Sequence, residues 1–148
     1  MRPFLGGCLC ESTRYKISQP PISQGICYCR QCRKAGGACG SPVMVLSKAT
    51  FECSPGTLST CETTSSRNSV VTRNFCKNCG SHIFAQISDV PDLVTVRAAT
   101  LDDFSLFTPQ YLVWTQSAGP SCVFPKGIPA FPENAPLAVI LGRTIKSI

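Results

Sequence analysis

Cys27-Tyr28-Cys29-Arg30-Gln31-Cys32 sets three thiols at C-x-C-x-x-C spacing within one short turn. Two further pairs bracket it: Cys8 and Cys10 before, Cys76 and Cys79 after. Cysteine thiolates grouped this tightly are the soft ligands that zinc prefers. The seven divide as four and three. Four thiolates close a tetrahedral site, which is then structural. Three can leave a position open for water or substrate.

Cys76-Lys77-Asn78-Cys79-Gly80 has the form of a zinc knuckle. Two intervening residues let both sulfurs face one ion, and the glycine permits the tight backbone that turns amides toward sulfur. Cys8 and Cys10 complete the set from a distant part of the chain. Such a site ties the N-terminal region to the middle as a disulfide would, and survives in a reducing compartment. At Cys27, Cys29 and Cys32 no fourth ligand is marked by spacing. Cys39 is nearest, and Cys53, Cys61, Cys122 and His82 are further candidates. Either a remote residue closes the site, or an open zinc binds water, polarises an oxygen or accepts a substrate thiolate.

The 148 residues are expected to form one domain, 1–148, with the Pro-rich C-terminal segment wrapped against its body. Eleven cysteines would also fit a secreted disulfide scaffold. The odd count, the C-x-C pairs and the lack of a basic-then-apolar leader argue instead for a cytoplasmic metal protein. No stretch has transmembrane length, so no membrane partner is expected. The formal charge is +6. Seven thiolates and two zinc ions reduce it to about +3. The one local basic cluster, Arg30, Arg33 and Lys34, reads as a small electropositive pocket rather than a stripe that tracks a nucleic-acid backbone.

Helix signals are weak throughout, and short alternating or apolar runs separated by Gly and Pro turns predict a mainly β fold, a sandwich or folded barrel. Strands are expected at 12–17, 22–26, 41–46, 49–53, 58–63, 70–75, 82–87, 93–98 and 109–114. Residues 33–40 hold at most one helical turn or a loop over the metal, and 138–141 could form a terminal strand.

The order C-x-C, C-x-C-x-x-C, then Arg-x-Phe-Cys-x-x-Cys-Gly resembles the glutathione-dependent formaldehyde-activating enzyme family, whose domain also occurs in a centromere protein. The matching stretches are Gly7 to Cys10, Cys27 to Gly37, Arg73 to Phe84, Thr100-Leu101-Asp102 and, more weakly, Gly127 to Phe131. The resemblance implies folded antiparallel sheets with two zinc ions per chain. Cys8, Cys10, Cys76 and Cys79 would hold the structural ion, and Cys27, Cys29 and Cys32 the functional one. It also implies a carbon–sulfur lyase type of reaction, with glutathione as a candidate cosubstrate. Tyr28 stands where the family often has histidine, and Tyr111 replaces another. The usual tryptophan before the final Gly-x-Pro segment is replaced near Cys122 and Val123. His82, the one histidine, is expected to be a structural or surface residue rather than a base.

The resulting expectation is a zinc-dependent lyase-like enzyme acting on a small electrophile or its thiol adduct. Arg33 is the expected anion-holding residue and Tyr28 a hydrogen-bond donor beside the metal. The competing expectation is a non-catalytic, zinc-stabilised binding module. Either is compatible with a homodimer.

Overall fold

The computed structural model describes residues 3–37, 39–54 and 56–143. Ala38 of the Gly-rich loop and Pro55 of the expected Ser54–Gly56 turn lie outside the described residues. Two sheets form the body. The smaller joins β1 (Phe4–Gly7), β2 (Arg14–Ile17) and β5 (Phe51–Cys53), in that spatial order. The larger has seven strands. Across it run β10 (Tyr111–Val113), β3 (Ser23–Cys27), β4 (Ser41–Ser47), β9 (Leu93–Arg97), β8 (His82–Ile87), β7 (Val70–Cys76) and β6 (Leu58–Thr64). All neighbouring pairs are antiparallel except β10 with β3. The mainly β class read from the sequence is what the chain forms.

The unbroken apolar run Val43-Met44-Val45-Leu46 has a simple cause: β4 is buried on both faces. Side chains alternate across a strand, and residues directly paired between strands share a face. Met44 pairs with Val96, and Val96 with Phe84. This face meets Tyr15 and Ile17 of the smaller sheet in the main core. Ile17, Met44, Leu46 and Val96 are fully buried, each contributing on the order of 1.5–3 kcal/mol. Val45 pairs with Thr95, Thr95 with Ala85, and Ala85 with Arg73. That second row faces away from the smaller sheet and lines a cavity.

Three local readings change. The sequence did not single out β1, whose glycines nonetheless pair with β2. A helix, α1 (Arg30–Gly36), replaces the expected turn and starts directly after Cys29. The Cys29 sulfur accepts from the Cys32 amide at 3.3 Å and so caps the first turn. The basic Arg33 and Lys34 suit its last turn, where the helix dipole is negative. At 137–140 the chain forms a short helix, α2 (Leu137–Ile140), not a strand. β3 is already flanked by β10 and β4, so this segment closes its hydrogen bonds locally, Leu141 N donating to Leu137 O at 2.9 Å. Pro136 precedes it, as proline favours a helix start.

Before α2 the Pro-rich segment runs extended along β10. Leu112 N donates to Pro129 O at 2.8 Å, Phe131 N to Leu112 O at 2.9 Å and Trp114 N to Glu133 O at 2.9 Å. No helix among the described residues is long and apolar enough to cross a membrane.

Candidate functional site

The four-cysteine group forms where the two sheets meet. Cys8 and Cys10 follow β1, Cys76 ends β7, and Cys79 lies in the turn before β8. Gly80 adopts a φ of 77°, open to glycine at no steric cost. Its amide donates to Cys76 O at 2.7 Å. All four sulfurs lie within 4.8 Å of one another. Tetrahedral zinc with Zn–S bonds of about 2.3 Å holds its sulfurs about 3.8 Å apart. Cys8 and Cys10 Sγ are 3.6 Å apart, and Cys10 and Cys76 Sγ 3.8 Å. The donor set fits the ion. The Ser12 hydroxyl pulls the Cys76 thiol down to about 5, and Ser81 pulls Cys79 down to about 7. Both shifts favour the thiolate, the form that ligates.

The three-cysteine group is built by one strand-to-helix junction. Cys27 ends β3, Cys29 caps α1 and Cys32 lies in its first turn. Their sulfurs also lie within 4.8 Å of one another. Cys32 is the thiol that ionises: hydrogen bonds from Cys27 and Cys29, then the Arg97 guanidinium, pull it down to about 2. The neighbouring sulfurs and burial push Cys27 up. Three convergent sulfurs, one already a thiolate, fit a soft divalent ion.

Among the described residues no fourth His, Cys, Asp or Glu joins this group. Cys39, the nearest candidate in sequence, meets Cys122 instead, with Sγ atoms 2.7 Å apart. His82 Nε2 donates to Phe84 O at 3.2 Å, while Nδ1 accepts from Arg97 Nε at 3.1 Å. That pairing selects the neutral Nε2–H tautomer. Burial, then the charges of Arg97 and Arg73, lower His82 to about 4.

The triad opens on a cavity of about 450 Å³, within the range of small-molecule sites. The outer face of the large sheet forms its floor, through Val43, Val45, Ala85 and Thr95. Trp114, Leu137 and Ile140 close it from the C-terminal side. Tyr111 contributes the wall next to Cys27, its ring lying over Gly25. A Cβ at Gly25 would come 2.2 Å from Tyr111 Cε2, so the glycine makes that placement feasible. Trp114 holds a left-handed backbone, φ 60° and ψ 36°, at the rim. For a bulky residue this conformation is strained, of order 1–3 kcal/mol. Its indole Nε1 donates to Asn134 Oδ1 at 2.9 Å.

Tyr28 and Arg33 lie outside the cavity lining. Tyr28 is buried behind the triad, its ring edge-on to Phe124 at 4.9 Å. Arg33 is exposed on α1, where its charge acts on Cys122. Two buried arginines line the cavity instead: Arg73, quoted from the sequence only as the arginine of the family motif and given no role there, and Arg97. Arg97 donates to His82 Nδ1, to Ser41 Oγ and to Cys32 Sγ, the last at 3.6 Å. A signal for it was present. Arg97 shares its strand parity with Leu93 and Thr95, so it stands on the same cavity-lining face.

Thr100 and Asp102 serve the small sheet rather than the cavity. Tyr15 Oη and Thr100 Oγ1 lie 3.0 Å apart, and Arg14 donates to Asp102 through both Nη atoms.

The sequence model of the family described as glutathione-dependent formaldehyde-activating enzyme matches residues 3–117. No curated protein matches the chain. Among solved structures, a Rhodobacter sphaeroides protein from a structural-genomics programme aligns with a TM-score of 0.55 at 17% identity. The alignment covers 86% of this chain and 98% of that one. At that identity the likeness is one of fold.

Proposed function

The chain belongs to the glutathione-dependent formaldehyde-activating enzyme family, and from that premise we propose that it is a zinc-dependent, carbon–sulfur lyase-like enzyme acting on a small electrophile or its thiol adduct. One observation carries the proposal: a three-cysteine group without a fourth ligand among the described residues opens directly on a cavity of substrate size. Zinc held by Cys27, Cys29 and Cys32 would supply an electrophilic centre for a thiolate or carbonyl oxygen.

The chain's own residues supply the rest. Arg97, fixed by Ser41 and His82, places positive charge beside Cys32 and would stabilise negative charge developing on a reacting oxygen or sulfur. In this proposal Arg97 takes the charge-holding role expected of Arg33, and Tyr28 supports the turn from behind. The largely apolar floor would lower the local polarity around the site, which strengthens those electrostatic contacts. In such a reaction a carbon–sulfur bond forms as the thiol proton passes to the carbonyl oxygen, or breaks by the reverse, with no change in oxidation level. Glutathione is the proposed first thiol to try. A reducing compartment such as the cytoplasm suits a chain rich in ligating thiols.

Cobalt-substituted protein titrated with glutathione and small aldehydes tests this. The absorption bands of the three-cysteine site should shift as a substrate atom enters. Spectra showing four protein sulfurs at both sites, unmoved by any ligand, would instead favour a zinc-stabilised binding module.

A further inference from the structure

Arg73 is a buried guanidinium that pairs with no carboxylate among the described residues. It is 9% exposed and lines the cavity. Nη1 donates to Thr63 Oγ1, and Nη2 donates to Gln31 Oε1 at 3.0 Å. Both acceptors are neutral. Nε is buried and has no hydrogen-bond partner among the described residues. A guanidinium keeps its charge on burial, and a buried charge left unpaired is costly.

The other arginines of the cavity are differently placed. Arg97 faces the Cys32 sulfur. Arg67 is half-exposed and pairs with Asp89 at 3.6 Å. Arg30 is exposed to solvent. No Asp or Glu lines the cavity among the described residues. One anionic requirement therefore stays unmet, at Arg73. Around it the wall is apolar: Val71 pairs with Ile87 in the row beside Arg73 and Ala85, and Val45 and Leu93 continue the surface. Gln31 connects this spot to the triad, since its side chain holds Arg73 and its chain neighbour is Cys32.

We propose that the cavity selects a small monocarboxylate with an apolar body, its carboxylate accepting from Arg73 and its reactive end toward Cys27, Cys29 and Cys32. A single negative charge matches the single unmet guanidinium, and the apolar wall matches a hydrocarbon body rather than a peptide. The assignment rests on the enzymatic reading above for which end reacts, whereas binding itself needs no turnover.

The test uses the zinc-loaded chain and the fluorescence of Trp114, the one tryptophan of the sequence, which lines the cavity. The probes are 4-phenylbutyrate and its primary amide, which carry no reactive end, and glutathione without an aldehyde. The acid should bind about ten- to a hundredfold more tightly than the amide, the range for one charge-assisted hydrogen bond. It should also bind more tightly than glutathione. Arg73→Gln, where circular dichroism shows it folded, should bind acid and amide alike. Equal binding of acid and amide by the unsubstituted chain would overturn the proposal, whatever the variant does. So would the absence of binding by the acid at millimolar concentration, or an acid preference that survives in folded Arg73→Gln. Tighter binding of glutathione would overturn this substrate class while leaving the enzymatic reading standing. An acid preference in a protein inert toward every aldehyde and thiol would do the reverse.

Discussion

Arg97 donates to Cys32 Sγ at 3.6 Å across a separation of 65 residues. The contact joins the last residue of β9 to the first turn of α1, and it joins positive charge to the thiol that ionises most readily in the triad. Partners of this kind orient ligands and tune their charge, and losing one typically costs about 10–100-fold in metal affinity or activity. Arg97→Met should therefore loosen metal at the triad by about that factor while the four-cysteine ion keeps its affinity. Competition with a chelator, read as two separate release steps, would check this. Arg33→Ala, altering an exposed side chain outside the cavity lining, should weaken the triad's hold on metal far less. Equal losses in the two variants would contradict the assignment of Arg97.

The two cysteine groups should separate folding from chemistry. Cys76 is fully buried in the main core and helps tie one sheet to the other. Metal binding at such a site is folding free energy. Cys76→Ala should lower the thermal transition sharply. Cys29→Ala should release the triad's ion and abolish activity, with a smaller thermal change that includes the loss of the α1 cap. Calorimetry with metal analysis on both variants would show it. An unchanged transition in Cys76→Ala would sink the structural role.

His82 should remain neutral well below the ordinary histidine value of 6.5, titrating near about 4. Its folded value is lowered, so neutral His82 contributes stability that is present above about 6.5 and lost as pH falls from there through about 4. Because the sequence has one histidine, proton NMR follows a single imidazole. That resonance should hold its neutral position down to about pH 5. Movement centred near 6.5 would mean that the imidazole is exposed and the Arg97 contact absent.

Cys39 and Cys122 meet at 2.7 Å outside both metal-ligand groups. Mild peroxide should join them as a disulfide, two thiols and one peroxide giving the bond and two waters. In the metal-loaded chain the seven clustered cysteines should resist. Peptide mapping after alkylation would identify the cross-link. Oxidation that starts at Cys27, Cys29 or Cys32 while Cys39 and Cys122 stay reduced would contradict this order of reactivity.

The seven clustered cysteines were readable because metal ligation imposes short, fixed spacings. C-x-C and C-x-x-C bring sulfurs together locally, whatever the rest of the chain does. The β class was readable for a similar reason: alternation and Gly/Pro punctuation are local, and the apolar run Val43 to Leu46 falls in an expected strand. α1 was harder to see, because its start depends on a cap made by Cys29, a residue read only as a ligand. α2 was misread because an apolar tetrapeptide fits strand or helix until the neighbouring sheet edge is known to be occupied.

What sequence by itself determined was the donor set and the kind of layer that carries it. The tertiary structure alone decided which groups meet the donors. Arg97 reaches Cys32, and Arg73 reaches Gln31, through cross-strand register across β7, β8 and β9. Register is a relation between distant segments, and a shift of one residue would turn both arginines to the other face. No local spacing encodes that, whereas the spacing of two thiols in one turn encodes their meeting completely.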